Sequence, residues 1–173
     1  EFLSLTASGR QWNSNLNFHV FFEEHRAILS SQGLELLHVI SEKLKAEQDF
    51  ESSLKFILSR ICAFQKWPVG HAYMRPENVN DEVCMAPSGV WHLESSSAAL
   101  DTFVSLTSKT VFKNGEGLPG RVSVSGRAEW VEDVTIDPNF PRAKLAQDIG
   151  VKGAFAFPVS DKLGVRYVLE FFS

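Results

Sequence analysis

Cysteine is scarce in this chain: Cys62 and Cys84 are the only two, and they have no C-x-x-C spacing. That excludes a disulfide-stapled scaffold and points to reduced thiols in a cytoplasmic protein. A membrane span would need a run of roughly 18 apolar residues, and the sequence has neither that nor a signal peptide. No membrane contact is therefore expected from this segment. Positive charge is not in excess, with 17 Lys and Arg against 21 Asp and Glu, a formal net charge of -4. No basic cluster or aromatic-plus-basic groove offsets this balance, so nucleic acid is a poor partner. No G-x-S-x-G elbow presents a nucleophile, and Ser123 and Ser125 fall within a short helix and at its end. No catalytic residue and no metal-ligand set is assigned, and the chain is expected not to be an enzyme.

What is present is apolar material: 44% of 173 residues, enough for one domain with a sizeable core. The chain starts at Glu1 without methionine and stops at Ser173 directly after a strand, so it is expected to come from something longer.

Residues 1–15 are polar and read as irregular. From Leu16 a stripe through Phe18, Phe22, His25, Leu29, Gly33, Leu36, Ile40 and Leu44 predicts helix over 16–48, as one helix or as two meeting near Ser31. Asp49 is placed to N-cap the next helix, whose stripe is Phe50, Leu54, Ile57, Leu58, Ile61 and Phe64, with Cys62 one position off it. Trp67-Pro68 ends that helix. Val69 to Arg75 alternates as a strand, with Val69, His71, Tyr73 and Arg75 on one face. Glu82 to Ala86 and Ser88 to Leu93 give two further strand candidates, and Ser96 to Leu106 a helix.

The richest stretch runs from Gly115 to Phe172. Gly115 and Gly117 suit a turn, Pro119 the first position of a helix, and Gly126 its stop. Ala128 to Val131 reads as a short strand, and Asp137-Pro138 as an N-cap followed by proline at the start of another helix. Gly153 to Val159 alternates aromatics and alanines, and Asp161 to Gly164 turns it into Val165 to Phe172, an antiparallel hairpin.

The order Gly115-Glu116-Gly117-Leu118-Pro119-Gly120-Arg121-Val122, then Ser125-Gly126-Arg127, Asp133-Val134 and Asp137-Pro138-Asn139-Phe140 closely resembles a GAF domain. Gly150-Val151-Lys152 through Phe157-Pro158-Val159 and Val168-Leu169-Glu170-Phe171-Phe172-Ser173 continue the match. It looks most like the GAF domains of sensor histidine kinases and cyclic-dinucleotide signalling proteins. The resemblance implies an α/β (α+β) fold with a central antiparallel sheet of five or six strands. N-terminal helices would cover one face, and short helices and loops the other. It divides the chain into an N-terminal extension and linker helix, 1–33, and a sensor domain, 34–173.

The implied function is a regulatory sensor domain of a cytoplasmic multidomain signalling protein. It would bind an unidentified small molecule and relay the signal through terminal helices to an output domain, a kinase or a cyclase. The partner implied by this resemblance is a second copy, joined through the N-terminal helices; the alternative role is a ligand-free dimerisation and relay module. GAF domains that reduce methionine sulfoxide carry a set of pocket cysteines, which Cys62 and Cys84 do not supply. Bilin attachment would need a pocket cysteine, usually followed by histidine, whereas Met85 follows Cys84. The Asn-Lys, Phe and Asp-Glu signature of cyclic-nucleotide GAF domains is not matched.

The candidate ligand-binding residues are His71, Tyr73, Trp91, His92, Phe103, Arg121, Trp130 and Phe155. The aromatics serve as core, which needs no ligand, or as the wall of an apolar cavity with His or Tyr polar tips. His71 and His92 face each other if their strands are neighbours. Arg121 either braces the short helix against Asp133 or Glu116 or holds an anion. The cavity is expected under the segment from Ser95 to Gly117, near Tyr73, Trp91 and Phe155.

Overall fold

The computed structural model describes residues 3–5, 12–14, 31–46, 49–77 and 84–173. Leu3–Leu5 (β1) pairs antiparallel with Trp12–Ser14 (β2), which corrects the irregular reading of residues 1–15. The period-two run Leu3-Ser4-Leu5 is the local signal that reading passed over. Helix α1 is Ser31–Ala46, with Gly33, Ile40 and Leu44 buried, as the stripe requires. The remainder of the helix expected over 16–48, residues 16–30 and 47–48, lies outside the described residues.

Helix α2 is Phe50–Gln65, and the Ser52 amide donates to Asp49 Oδ2 at 2.8 Å, so Asp49 is the N-cap. Its buried side chains include Phe50, Leu54, Ile57, Leu58 and Cys62, whereas Phe64 is 39% exposed. Cys62 thus belongs to the stripe and Phe64 does not, because the row Leu54, Leu58, Cys62 continues at four-residue steps. Burial, with a smaller push from Glu94, drives the Cys62 thiol up to about 12.

Five strands form the main sheet: Val69–Met74 (β3), Ala86–Leu93 (β4), Glu129–Val131 (β5), Ala154–Asp161 (β6) and Gly164–Phe172 (β7). Their order is β4-β3-β7-β6-β5, with every neighbour antiparallel. The β6–β7 hairpin turns at Lys162-Leu163, where the Leu163 amide donates to Asp161 Oδ1 at 2.7 Å and Gly164 takes φ 113°.

Period-two alternation sends Ala72, Val90, Phe157, Leu169 and Phe171 to α1 and α2. It sends Val69, Tyr73, Ala154, Ala156, Val168 and Phe172 to the other face. Over that second face lie helices α3 (Ala98–Thr107), α4 (Gly117–Ser125) and α5 (Ala143–Asp148) with their loops. Leu100, Phe103, Phe112, Leu118, Val122, Val134, Phe140 and Val151 make the buried side of this cover. This is the expected α+β architecture, one sheet with a helical pair on one face and short helices and loops on the other.

Two local expectations change. Pro119 is the third residue of α4 rather than its first, because Glu116 already holds the cap position. Asp137-Pro138 starts a turn and not a helix: Asp137 Oδ1 accepts from the Asn139 amide at 2.8 Å and its carbonyl from Phe140 at 3.2 Å. That side-chain turn competes with helix formation and delays α5 to Ala143.

Candidate functional site

Antiparallel register brings three side chains into a row across the covered face. His71 on β3 lies opposite Trp91 on β4 and opposite Glu170 on β7. The Trp91 ring stacks on the imidazole at 3.8 Å and 26°, and Tyr73, next on the same face, meets it edge-on at 4.6 Å. Phe103 of α3 closes over Trp91 and Phe172, with ring centroids at 6.5 and 5.3 Å.

Arg142, the residue before α5, enters this layer from the cover. Its two terminal nitrogens donate to Glu170 Oε1 and Oε2 at 2.8 and 2.9 Å, a bidentate pair. Nη1 also reaches Thr107 Oγ1 at 3.4 Å. Five rings surround the guanidinium: Phe140, Phe112, Phe103, Phe172 and Tyr73, with centroids 5.1, 5.3, 5.7, 5.7 and 5.8 Å from Cζ. Such distances allow cation–π attraction, which is strongest where water is excluded. Arg142 is 3% exposed, and Glu170 and His71 are 0% exposed.

Burial alone would raise the Glu170 carboxyl, but the Arg142 guanidinium, aided by His71, holds it below the ordinary carboxylate range. The same pairing keeps Arg142 charged against its own burial. His71 is pushed down by burial, which outweighs the neighbouring Glu170, so the imidazole is neutral at pH 7. Its Nδ1 stands 3.6 Å from Glu170 Oε1, too far for a good hydrogen bond. Four polar atoms of the cluster are buried without a partner: His71 Nδ1 and Nε2, Tyr73 Oη and Arg142 Nε.

A pH dependence follows. With its pKa depressed in the fold, His71 contributes no penalty above its ordinary value of 6.5. As pH falls below that value the unfolded chain takes up a proton that the folded chain refuses, and stability drops until the lower folded pKa is reached. Melting temperature is therefore expected to decline between pH 7.5 and 5.5, and to decline less in His71→Phe. Equal slopes for the two proteins would mean that His71 is not buried neutral.

The structure brings His71, Tyr73, Trp91 and Phe103 together and leaves the other four candidates elsewhere. His92 pairs with Gly70, and a Cβ at Gly70 would stand 2.9 Å from Cys62 Sγ, so this pair faces α2. The two histidines therefore do not face each other. Phe155 and Trp130 also lie with Trp67 on the α2 side, at 6.2 and 5.6 Å, and Trp130 is 52% exposed. The alternation of Phe155 and Phe157 with Ala154 and Ala156 is as read, but the bulky rings meet the helices and the alanines pack under the cover.

Arg121 braces α4, with partners other than Asp133 and Glu116. It donates to Glu129 Oε1 at 2.7 Å, Asp137 Oδ2 at 2.9 Å and the Asn139 carbonyl at 2.9 Å. Among the described residues no group of three His, Cys, Asp or Glu side chains converges as a metal site. Arg142, Glu170, Thr107, Phe112, Phe140 and Phe172 complete the cluster, and none of them is among the candidate ligand-binding residues of the sequence. Glu170 carried a signal, a carboxylate inside the apolar run Val168-Leu169-Glu170-Phe171-Phe172.

No family model matches this sequence, and no curated protein matches it. Solved structures do match in fold. One is the GAF domain of a phosphoenolpyruvate-protein phosphotransferase from Coxiella burnetii, at 17% identity and TM-score 0.62, covering 81% of this chain and 76% of that one. Another is a GAF domain from A. aeolicus in an inactive state, at 18% identity and TM-score 0.59, covering 81% and 78%. A third is free methionine-R-sulfoxide reductase from Neisseria meningitidis in complex with its substrate, at 17% identity and TM-score 0.59, covering 81% and 72%. Strand order, the cover and these similarities agree on one conclusion: the chain has the fold of GAF domains.

Proposed function

We propose that this chain is a regulatory sensor module that admits a small polar molecule between the β3–β7 face and its cover. The observation that carries the reading is the set of orphaned polar atoms on His71 and Tyr73 beside a buried ion pair. An unsatisfied buried polar group costs on the order of 1–3 kcal/mol, and a ligand that supplies the missing partners recovers that cost. The reductase of the same fold, bound to its substrate, supports the idea that this architecture accepts a small molecule.

A regulatory role is favoured over catalysis because burial raises both thiols, Cys62 and Cys84. Binding transmits because Arg142 belongs to the cover and Glu170 to the last strand, so a shift of the cover pulls on β7. Such a switch requires a ligand with different affinity for the two states. The natural setting is a cytoplasmic signalling protein with a kinase or cyclase output domain. Native mass spectrometry of freshly purified protein tests the reading: a retained small molecule, lost from a His71→Phe, Tyr73→Phe double variant, supports it. Retention that is indifferent to both substitutions would refute it.

One observation favours the ligand-free relay instead, the Arg142 guanidinium already standing among the rings. Under either reading we propose self-association through α1. Leu34 of α1 is 53% exposed, and a groove of about 580 Å³ between α1 and α2 is lined by Leu36, Val39, Ala63 and Phe64 together with Gln32, Glu35, Arg60 and Gln65. Light scattering at roughly tens of micromolar should give a dimer mass that falls to a monomer in Leu34→Lys. A monomeric wild type would end this part of the proposal.

A further inference from the structure

The environment of Arg142 is a complete guanidinium receptor, and most of it is built from elements other than the one that carries Arg142. Glu170 of β7 accepts both terminal nitrogens, Thr107 of α3 offers a hydroxyl, and Tyr73, Phe103, Phe112 and Phe172 supply aromatic faces. A planar fork on a carboxylate with rings around it is how a guanidinium is recognised in preference to an ammonium. The tethered occupant nevertheless fits incompletely. It satisfies Glu170 and leaves His71 Nδ1, His71 Nε2, Tyr73 Oη and its own Nε without partners. His71 Nδ1 stands 3.6 Å from Glu170 Oε1, the imidazole 4.6 Å from the Tyr73 ring and that ring 5.8 Å from Arg142 Cζ, so both side chains with orphaned atoms border the occupied place. A free guanidine with a second polar group would keep the contacts of Arg142 and add the ones it cannot make.

We propose that the covered face is a receptor site for small guanidinium compounds bearing a second polar group, and that such a ligand binds by displacing the side chain of Arg142. This rests on the sensor reading and gives it a ligand class. The displaced arginine leaves Glu170 paired with the ligand, so no buried carboxylate is stranded. The ion pair that ties the cover to β7 is replaced by one that does not, which frees the cover.

The test uses guanidinoacetate and methylguanidine as probes, with ethylamine as the ammonium control, in calorimetric titrations of the wild type and Arg142→Ala. Removing the tethered competitor, whose effective concentration is millimolar or higher, should tighten guanidinoacetate binding by at least about tenfold. Guanidinoacetate should bind more tightly than methylguanidine, and ethylamine should not bind. Glu170→Gln should abolish binding. An Arg142→Ala protein that is folded by circular dichroism and binds neither guanidine at millimolar concentration overturns the proposal.

Should that variant not fold, the wild type decides through hydrogen exchange. Saturating guanidinoacetate is expected to speed exchange in 143–148 while β7 stays protected, and unchanged exchange overturns the proposal. A retained molecule of another class in native mass spectra would leave the sensor reading standing while this one fails.

Discussion

Arg142→Met is expected to destabilise the fold by about 3–5 kcal/mol, the cost of leaving one charge of a buried pair without its partner. Glu170 is 0% exposed and both its oxygens accept from Arg142, so no water replaces the lost guanidinium at once. The double variant Arg142→Met, Glu170→Leu should recover most of the loss. With neither charge present, an apolar layer forms among Phe103, Phe112, Phe140 and Phe172, and swaps of this kind are often near neutral. Urea melts of the two single variants and the double measure the coupling directly. Additive losses would show that the pair is not isolated from water.

The second large effect is expected at Gly120. It lies inside α4, where a Cβ would collide with the carbonyl oxygen of Lys113 and stand 3.3 Å from the Gly115 amide. Both neighbours are backbone and cannot swing aside. The turn they belong to is pinned from several sides. The Gly115 amide donates to the Gly120 carbonyl at 3.2 Å, and Asn139 bridges the Gly117 amide and the Gly115 carbonyl, each at 2.9 Å.

Gly120→Ala should therefore cost on the order of 1–3 kcal/mol, in the upper part of that range, and lower the melting temperature by several degrees. The clash is with the turn at 113–115, not with the sheet. Because Asn139 precedes Phe140 and Arg142, the disturbance reaches the cover. Gly126→Ala, whose Cβ would meet nothing within 4 Å, is the control: it carries only the strain of its φ of 65°. Equal losses at the two sites would argue against the assigned packing.

Local physics made much of this fold legible. Alternation at Val69, His71 and Tyr73 put those side chains on one face, and the same rule separated Phe155 from Ala154 and Ala156. Alternation does not say which face meets the helices, and that is why Phe155, Trp130 and His92 were assigned to the site although they lie on the α2 side. Sheet register decides the rest. His71 meets Trp91 rather than His92 because of the register between β3 and β4, which no spacing within either strand encodes. Glu170 could have been noticed as a charge in an apolar strand. Arg142 could not, because Pro141-Arg142-Ala143 has no periodicity and its partner lies 28 positions away.

The central claim is that the orphaned atoms of His71 and Tyr73 mark a ligand site on the covered face. The direct measurement is a thermal-shift screen of small polar molecules, guanidinium compounds among them, on the wild type and His71→Phe side by side. The account expects at least one compound that raises the melting temperature of the wild type by about 2–4 °C per kcal/mol of binding energy and leaves His71→Phe unmoved. A screen in which no compound separates the two proteins would contradict it.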